Sequence, residues 1–375
     1  MQRFLTIALV LIGTLYGSLH ALATHPEDSF LTESIPVQAS VPHIALLLPL
    51  QSPSFGQAAD VVRQGFVAAT MREQALPFTI RVYATTDDPL DILITYHQAL
   101  DAGAVLIVGP LTRDGVTALA SSSVVEVPTL TLNAADNDGG MPPNLYLFGL
   151  QMENEASQVA ELAITENRRH AIIINDGSSL SLRLQTAFAD RWLQYGASAE
   201  SIQYYNEQNT LNQFRRQTTG QNNLIFLALN AKKSRILRPY LDPSTPVYAT
   251  SQLLVNSNDV LFNHDLNAVR FLDMPWLLQP DHPAVMAYRH TDKPKSTGME
   301  RLYALGIDAF RIMARMLQVR SASEISLDGV TGHIRFVPPN QFVREPVPAK
   351  FHNGQVLLTN APPKNSQQDV SVDER

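Results

Sequence analysis

The chain has 375 residues and no cysteine. That absence excludes a disulfide framework, thiol catalysis and a lipid-modified N-terminal cysteine, so stability must come from core burial. Several catalytic signatures are also missing. Gly109-Pro110-Leu111-Thr112-Arg113-Asp114-Gly115 lacks the Gly-Lys-Ser/Thr ending of a phosphate-binding loop, and no strand feeds a G-x-G-x-x-G turn, which argues against nucleotide binding. The ten histidines are scattered without an H-E-x-x-H motif, and His282 and His290 stand too far apart to act as paired ligands; neither a metal nor a cofactor is expected. There is no G-x-S-x-G elbow and no S-x-x-K motif, so no catalytic residue is assigned. Asp176-Gly177-Ser178-Ser179 has the setting of an elbow, but its second glycine is absent and a helix cap explains it better. Asp87-Asp88 reads as a turn that opens a helix. Lysine and arginine number 28 against 35 acids, with no basic tract longer than Arg168-Arg169-His170 or Lys232-Lys233; nucleic acid is not an expected partner.

What is present is an exported, core-forming chain. Met1-Gln2-Arg3, the apolar Phe4 to Leu19 and the small residues Ala21-Leu22-Ala23 have the three parts of a secretory leader, with cleavage expected after Ala23. The other reading is an uncleaved anchor, for which the segment is short of the roughly 20 strongly apolar residues a spanning helix requires. No later window approaches that length, so the mature chain is expected to be soluble and periplasmic. Residues 24–41 read as a flexible linker and 359–375 as a disordered tail. Between them, hydrophobic residues make up 45% of the whole chain, and the length suits two to three domains.

The densest information lies in 41–69. Ile44 to Leu48 is an unbroken apolar run, as in a strand covered on both faces. Ser54 with Gln57 fits a capping box, and Ala58, Val61, Val62, Gly65, Phe66 and Ala69 then form one helical stripe. The alternation continues with strands at 44–49, 78–84, 104–108 and 128–132 and helices at 56–72, 89–102 and 113–121. After a change of pattern near Asn144 to Leu150, a second series follows. It has strands at 170–175, 201–205, 223–229 and 246–250 and helices at 180–195 and 231–240. A strand over 267–276, a helix over 300–318 and a Gly-Val-Thr-Gly hairpin within 327–338 complete the chain. Such alternation predicts an α/β fold of two doubly wound parallel-sheet lobes.

In open α/β sheets ligands meet loops at the carboxyl ends of strands. Those loops carry Gln51, Ser52 and Ser54; Gly109, Pro110, Leu111 and Thr112; Asn133 and Ala134; Ser178 and Ser179; and Ser251. Their hydroxyls, amides and backbone donors could hold a small polar ligand between lobes. The plainer reading is that Ser54 caps its helix and Gly109-Pro110 makes a turn. Asp273-Met274-Pro275-Trp276 offers a partner-binding anchor in Trp276, or else hinge packing with Asp273 bonded to local backbone. Arg301 and Asp308 read as solvated charges on the outer face of helix 300–318.

VLIVGPLTRDGV at 105–116, the Pro-containing loop after the first strand and the late Asp-Gly-x-x-Gly hairpin together resemble the type I periplasmic binding protein architecture. More narrowly, IALLLPL (44–50), VPTLTLN (127–133), FGLQMENEASQVAELA (148–163), DMPW (273–276), YALGIDAF (303–310) and LDGVTGHIRF (327–336) occur in order. The chain thereby resembles, over about residues 42 to 355, the C-terminal domain of the penicillin-binding protein activator family of LppC or LpoA type. The resemblance implies two lobes joined by crossing hinge strands, with 42–147 plus about 272–322 in lobe 1 and 148–271 plus about 323–358 in lobe 2. It also implies a non-enzymatic regulator whose partner is a class A penicillin-binding protein. The alternative is a solute receptor of an ABC transporter for an amino acid or similar small polar ligand. The sequence departs from the family in lacking a lipidation cysteine. With a leader ending at Ala23, the short stretch before the first strand is expected to leave no room for the helical-repeat domain of longer members.

Overall fold

A computed structural model describes residues 40–72, 76–136, 140–205, 208–256, 259–288 and 296–359. The expected leader, all of the expected linker before Ser40 and nearly all of the expected tail lie outside these residues. The strands are β1 (His43–Leu48), β2 (Thr79–Ala84), β3 (Ala104–Val108), β4 (Thr129–Thr131), β5 (Leu145–Leu147), β6 (His170–Asn175), β7 (Ser198–Gln203), β8 (Asn223–Ala228), β9 (Val247–Ala249), β10 (Val269–Asp273), β11 (Ser326–Asp328), β12 (His333–Val337), β13 (Gln341–Glu345), β14 (Val347–His352) and β15 (Gln355–Leu358). The helices are α1 (Gly56–Thr70), α2 (Pro89–Asp101), α3 (Arg113–Ala120), α4 (Met152–Ala163), α5 (Ser179–Leu193), α6 (Gln208–Thr218), α7 (Ala231–Leu237), α8 (Val260–Asn263), α9 (Pro275–Leu278), α10 (Pro283–Tyr288) and α11 (Thr297–Met316).

Two mostly parallel sheets result. The first runs β11-β12-β13-β5-β4-β3-β1-β2 and the second β15-β14-β10-β9-β8-β6-β7. The chain passes from the first sheet to the second between β5 and α4, and returns after β10. It crosses a last time at Pro346, between β13 and β14. This corrects the expected division of the chain. Residues 326–345 run in the first sheet, with β13 parallel to β5 at Gln341 and Leu147, and only β14 and β15 join the second. The reason is the hairpin itself: Leu327 pairs with Ile334, which is buried in the first lobe's core.

β1 explains why an unbroken apolar run suits this place. All six of its residues are buried, and alternate ones serve opposite faces. Ile44, Leu46 and Leu48 join α1 and α11, whereas Ala45 and Leu47 meet Ile92, Tyr96 and Leu119. β6 and β8 repeat this division in the second sheet, with Ile172, Ile174, Ile225 and Leu227 on one face and Ala171, Ile173, Leu224 and Phe226 on the other, beneath α4 and α5. Two of the differences from expectation concern the second lobe. The strand expected at 201–205 lies at Ser198–Gln203, and α6 escapes the periodicity because only Leu211 and Phe214 supply its apolar contacts within a polar sequence.

α1 and α11 approach backbone to backbone. A Cβ built on Gly65 would lie 2.0 Å from the Tyr303 carbonyl oxygen, and one on Gly306 would lie 2.1 Å from that of Val62. Phe66 and Phe310 meet edge to face beside this contact, 5.3 Å between centroids. Gly306→Ala therefore has to push the helices apart. Overpacking of this kind costs about 1–3 kcal/mol, and a urea midpoint for the variant equal to that of the parent would refute the assigned close contact.

Candidate functional site

The loops at the carboxyl ends of the first lobe's strands spend much of their polarity on themselves. Gln51 is exposed, and its backbone N–H donates to the Thr85 carbonyl at 2.9 Å. The capping box at Ser54 and Gln57 does not form. α1 starts from Phe55 with no side-chain cap, and it is the buried Ser52 whose Oγ accepts from the N–H groups of Ser54 and Phe55, at 3.2 and 3.0 Å. Ser52 sits two residues earlier, where the chain bends after β1, and so reaches the two N–H groups just ahead of the helix. At the next loop Gly109 has φ +111°, and a Cβ there would lie 1.9 Å from the Leu47 carbonyl oxygen; only glycine fits. Thr112 caps α3 through Gly115, and Asn133 Nδ2 donates to the Leu111 carbonyl at 3.0 Å. Gly109 to Thr112 and Asn133 to Ala134 are thus brought together, with the Pro110 carbonyl accepting from Leu132 N–H.

In the second lobe Ser178 caps α5, its Oγ accepting from Ser181 N–H at 3.4 Å and donating to Asp176 Oδ1 at 2.6 Å. Ser179 beside it is exposed. Lys233, which sequence reasoning did not single out, donates to Asp176 Oδ2 at 2.7 Å. Burial alone would raise the Asp176 carboxyl. The bonds from Lys233 and Ser178 outweigh it and hold the carboxyl at about 2. A carboxylate depressed below its ordinary 3.8 stabilises the fold above that pH, and the contribution is lost as pH falls through the folded value. Lys233→Met should move the Asp176 midpoint upward in an NMR pH titration and bring acid unfolding to higher pH; an unmoved midpoint would refute the assignment.

Ser251 lies elsewhere, in a buried charged network where the lobes join. Glu155, in the first turn of α4, is buried and accepts from the Ser251 backbone N–H, from Ser251 Oγ at 3.1 Å and from Arg344 Nη2 at 3.1 Å. Burial raises its pKa, and Arg344 offsets only part of that effect. Asp273, at the end of β10, is 1% exposed. Its Oδ1 accepts from Met274 N–H, and both oxygens accept from Arg301, at 3.2 and 2.6 Å. Arg301 Nη2 also donates to the carbonyls of Ser251 and Leu254. The solvated reading of Arg301 and Asp308 is therefore overturned. Asp308 is fully buried and accepts from Val330 N–H, Thr331 N–H and Thr331 Oγ1, which pins the hairpin turn to α11. Burial raises its pKa in turn. Trp276 is half-buried, its Nε1 donating to Glu300 Oε2 at 2.7 Å and its ring packed on Tyr303.

Glu155 and Arg344 were missed by the sequence reading. Glu155 had left a trace, since it falls on the same stripe as Ala156, Val159, Ala160 and Ala163, and a charge on an apolar stripe needs a partner. Removing one side of the Asp273–Arg301 pair leaves a buried charge unmatched, which costs about 3–5 kcal/mol. Asp273→Asn and Arg301→Met should each lose stability on that scale, and the double variant should lose less than their sum. Strict additivity in chemical unfolding would sink the pairing.

A groove of about 520 Å³ opens at the boundary of the lobes. Arg113 and Ala134 line it from the first lobe, and Leu182, Arg183, Ala187 and Asp190 line it from α5. Ala134 is its one contribution from the residues expected at the strand ends. Glu153 ties the walls together, its Oε1 accepting from Arg113 Nη2 at 3.0 Å and Arg183 Nε at 2.7 Å. Burial would raise the Glu153 pKa, but a backbone bond and these two guanidiniums hold it below the ordinary value. Arg113 also donates to Asp136 at 2.5 Å. Among the described residues no group of three His, Asp or Glu is arranged to hold a metal ion, and no helix is long and apolar enough to cross a membrane.

The sequence profile of the family described as "LppC putative lipoprotein" matches residues 20–354. The chain belongs to the LppC family. A "Penicillin-binding protein activator LpoA" of Haemophilus ducreyi is 28% identical over 363 residues, covering 92% of this chain and 59% of that protein. The chain thus spans less than two thirds of the length of this curated relative. Among solved structures, the LpoA C-domain from Haemophilus influenzae, titled a regulator of PBP1A, aligns with a TM-score of 0.73 at 22% identity, over 85% of this chain and all of that one. A "putative branched-chain amino acid ABC transporter" from Chromobacterium violaceum aligns with a TM-score of 0.71 at 36% identity, over 83% of this chain and all of that one. The fold of this LppC member is accordingly that of the LpoA C-domain and of type I periplasmic binding proteins.

Proposed function

We propose that this LppC protein is a periplasmic, non-enzymatic regulator that binds a class A penicillin-binding protein and stimulates peptidoglycan synthesis. The observation that carries this reading is the match to a named activator across 92% of the chain. The site supports it. Ser52, Thr112, Asn133 and Ser178 at the strand ends are bonded within or between their own turns, Ser251 is occupied by Glu155, and Glu153 bridges the lobes through Arg113 and Arg183. Such a junction acts as a rigid body for docking, whereas a receptor needs free groups in a cleft that opens. Neither a nucleophile motif nor a metal-binding motif argues for bond-making chemistry.

The second reading is a solute receptor, favoured by the 36% identity to the Chromobacterium protein. Two measurements separate them. The regulator should retain a class A synthase in a pull-down and raise its glycan polymerisation or cross-linking rate. No retention together with no rate change would end that reading. The receptor should instead be stabilised by a branched-chain amino acid, by about 2.7 kcal/mol at 100 times its Kd.

A further inference from the structure

The groove along α5 carries a charged side chain at each end. Arg183 spends only its Nε on Glu153; its Nη1 and Nη2 make no hydrogen bond among the described residues, and the side chain is 45% exposed. Asp190 is exposed, and its carboxylate has no side-chain or backbone donor among the described residues. The two lie seven residues apart on one face of α5, a separation of about 10 Å along the axis. Between and beside them run Ala187 and the 44% exposed Leu182, with Ala134 opposite. The groove thus offers free guanidinium donors at one end and a free carboxylate at the other, with Ala134, Leu182 and Ala187 in a lining that also holds Thr186, Gln151, Asn154 and Gln341. Its volume of about 520 Å³ falls within the range of small-molecule sites.

We infer that this groove binds a short zwitterionic peptide of about three residues with small apolar side chains. An extended chain spans about 3.3–3.6 Å per residue, so a tripeptide places its terminal carboxylate at Arg183 when its ammonium meets Asp190. The two free Nη groups suit a bidentate carboxylate. Glu153 holds Nε and fixes the guanidinium in place, which limits the ordering loss on binding. A single amino acid is too short to reach both charges. The site shares only Ala134 with the residues expected at the strand ends, and it holds whether or not the chain binds a synthase.

The test is calorimetric titration of the mature chain with tri-alanine, its N-acetylated form, its C-terminal amide and free alanine. Tri-alanine should bind saturably, and capping either end should weaken binding about tenfold, the equivalent of about 1.4 kcal/mol. Asp190→Asn should abolish the difference between free and acetylated peptide while keeping the preference for a free carboxylate. Arg183→Gln should do the reverse. Both residues are solvent-facing, and a thermal melt confirms that each variant folds. Absence of saturable binding by the parent chain, equal binding of capped and free peptides, or end preferences that survive both substitutions would overturn the inference. Separate synthase pull-downs with the same variants keep its failure distinct from that of the regulatory reading.

Discussion

A part-buried guanidinium paired with a buried carboxylate at the junction is the constraint on which the two-lobe arrangement turns. Arg301 projects from α11, whose body is sunk in the first lobe's core, and it engages Asp273 at the end of a strand of the second sheet together with the carbonyls of Ser251 and Leu254. Burying one such charge without compensation would cost several kcal/mol. Here the carboxylate and carbonyl oxygens satisfy it, and the geometry of the crossing follows. Glu155 and Arg344 repeat the arrangement at the other crossings, so elements of both sheets are held by directional bonds instead of by apolar contact alone.

Packing and charge pairing meet at that junction. The helix that carries Arg301 also carries Gly306, which lets α11 touch α1 backbone to backbone, and Asp308, which fixes the hairpin turn leading into the final crossing. Close packing leaves little room for sliding, and the Glu153 bridge adds a tie on the outer side. A scaffold built in this way presents a fixed surface, a property that suits a protein acting by contact.

Much of the architecture was legible from local pattern. The apolar run of β1, the helical stripe of α1 and the strand-helix alternation each arise from contacts that neighbouring residues make together, so period and sequence suffice. α6 was not legible because its apolar face consists of little more than Leu211 and Phe214. The cap expected from Ser54 does not form, because the bend of the chain after β1, and not residue type, decides which hydroxyl meets the N–H groups ahead of α1, and that hydroxyl is Ser52.

The sequence by itself determined the α/β class, the two series of strands, the family and the loops that terminate the strands, since periodicity and ordered motifs report short-range geometry. Only the tertiary structure decided the sheet to which 326–345 belongs, the pairing of Arg301 with Asp273, the burial of Asp308, and the groove whose walls come from Arg113, Ala134 and α5. The physical reason is separation along the chain: Arg301 reaches Asp273 across 28 residues, and Arg344 reaches Glu155 across 189. No local spacing encodes pairs so distant, and the fold alone brings their charges within bonding distance.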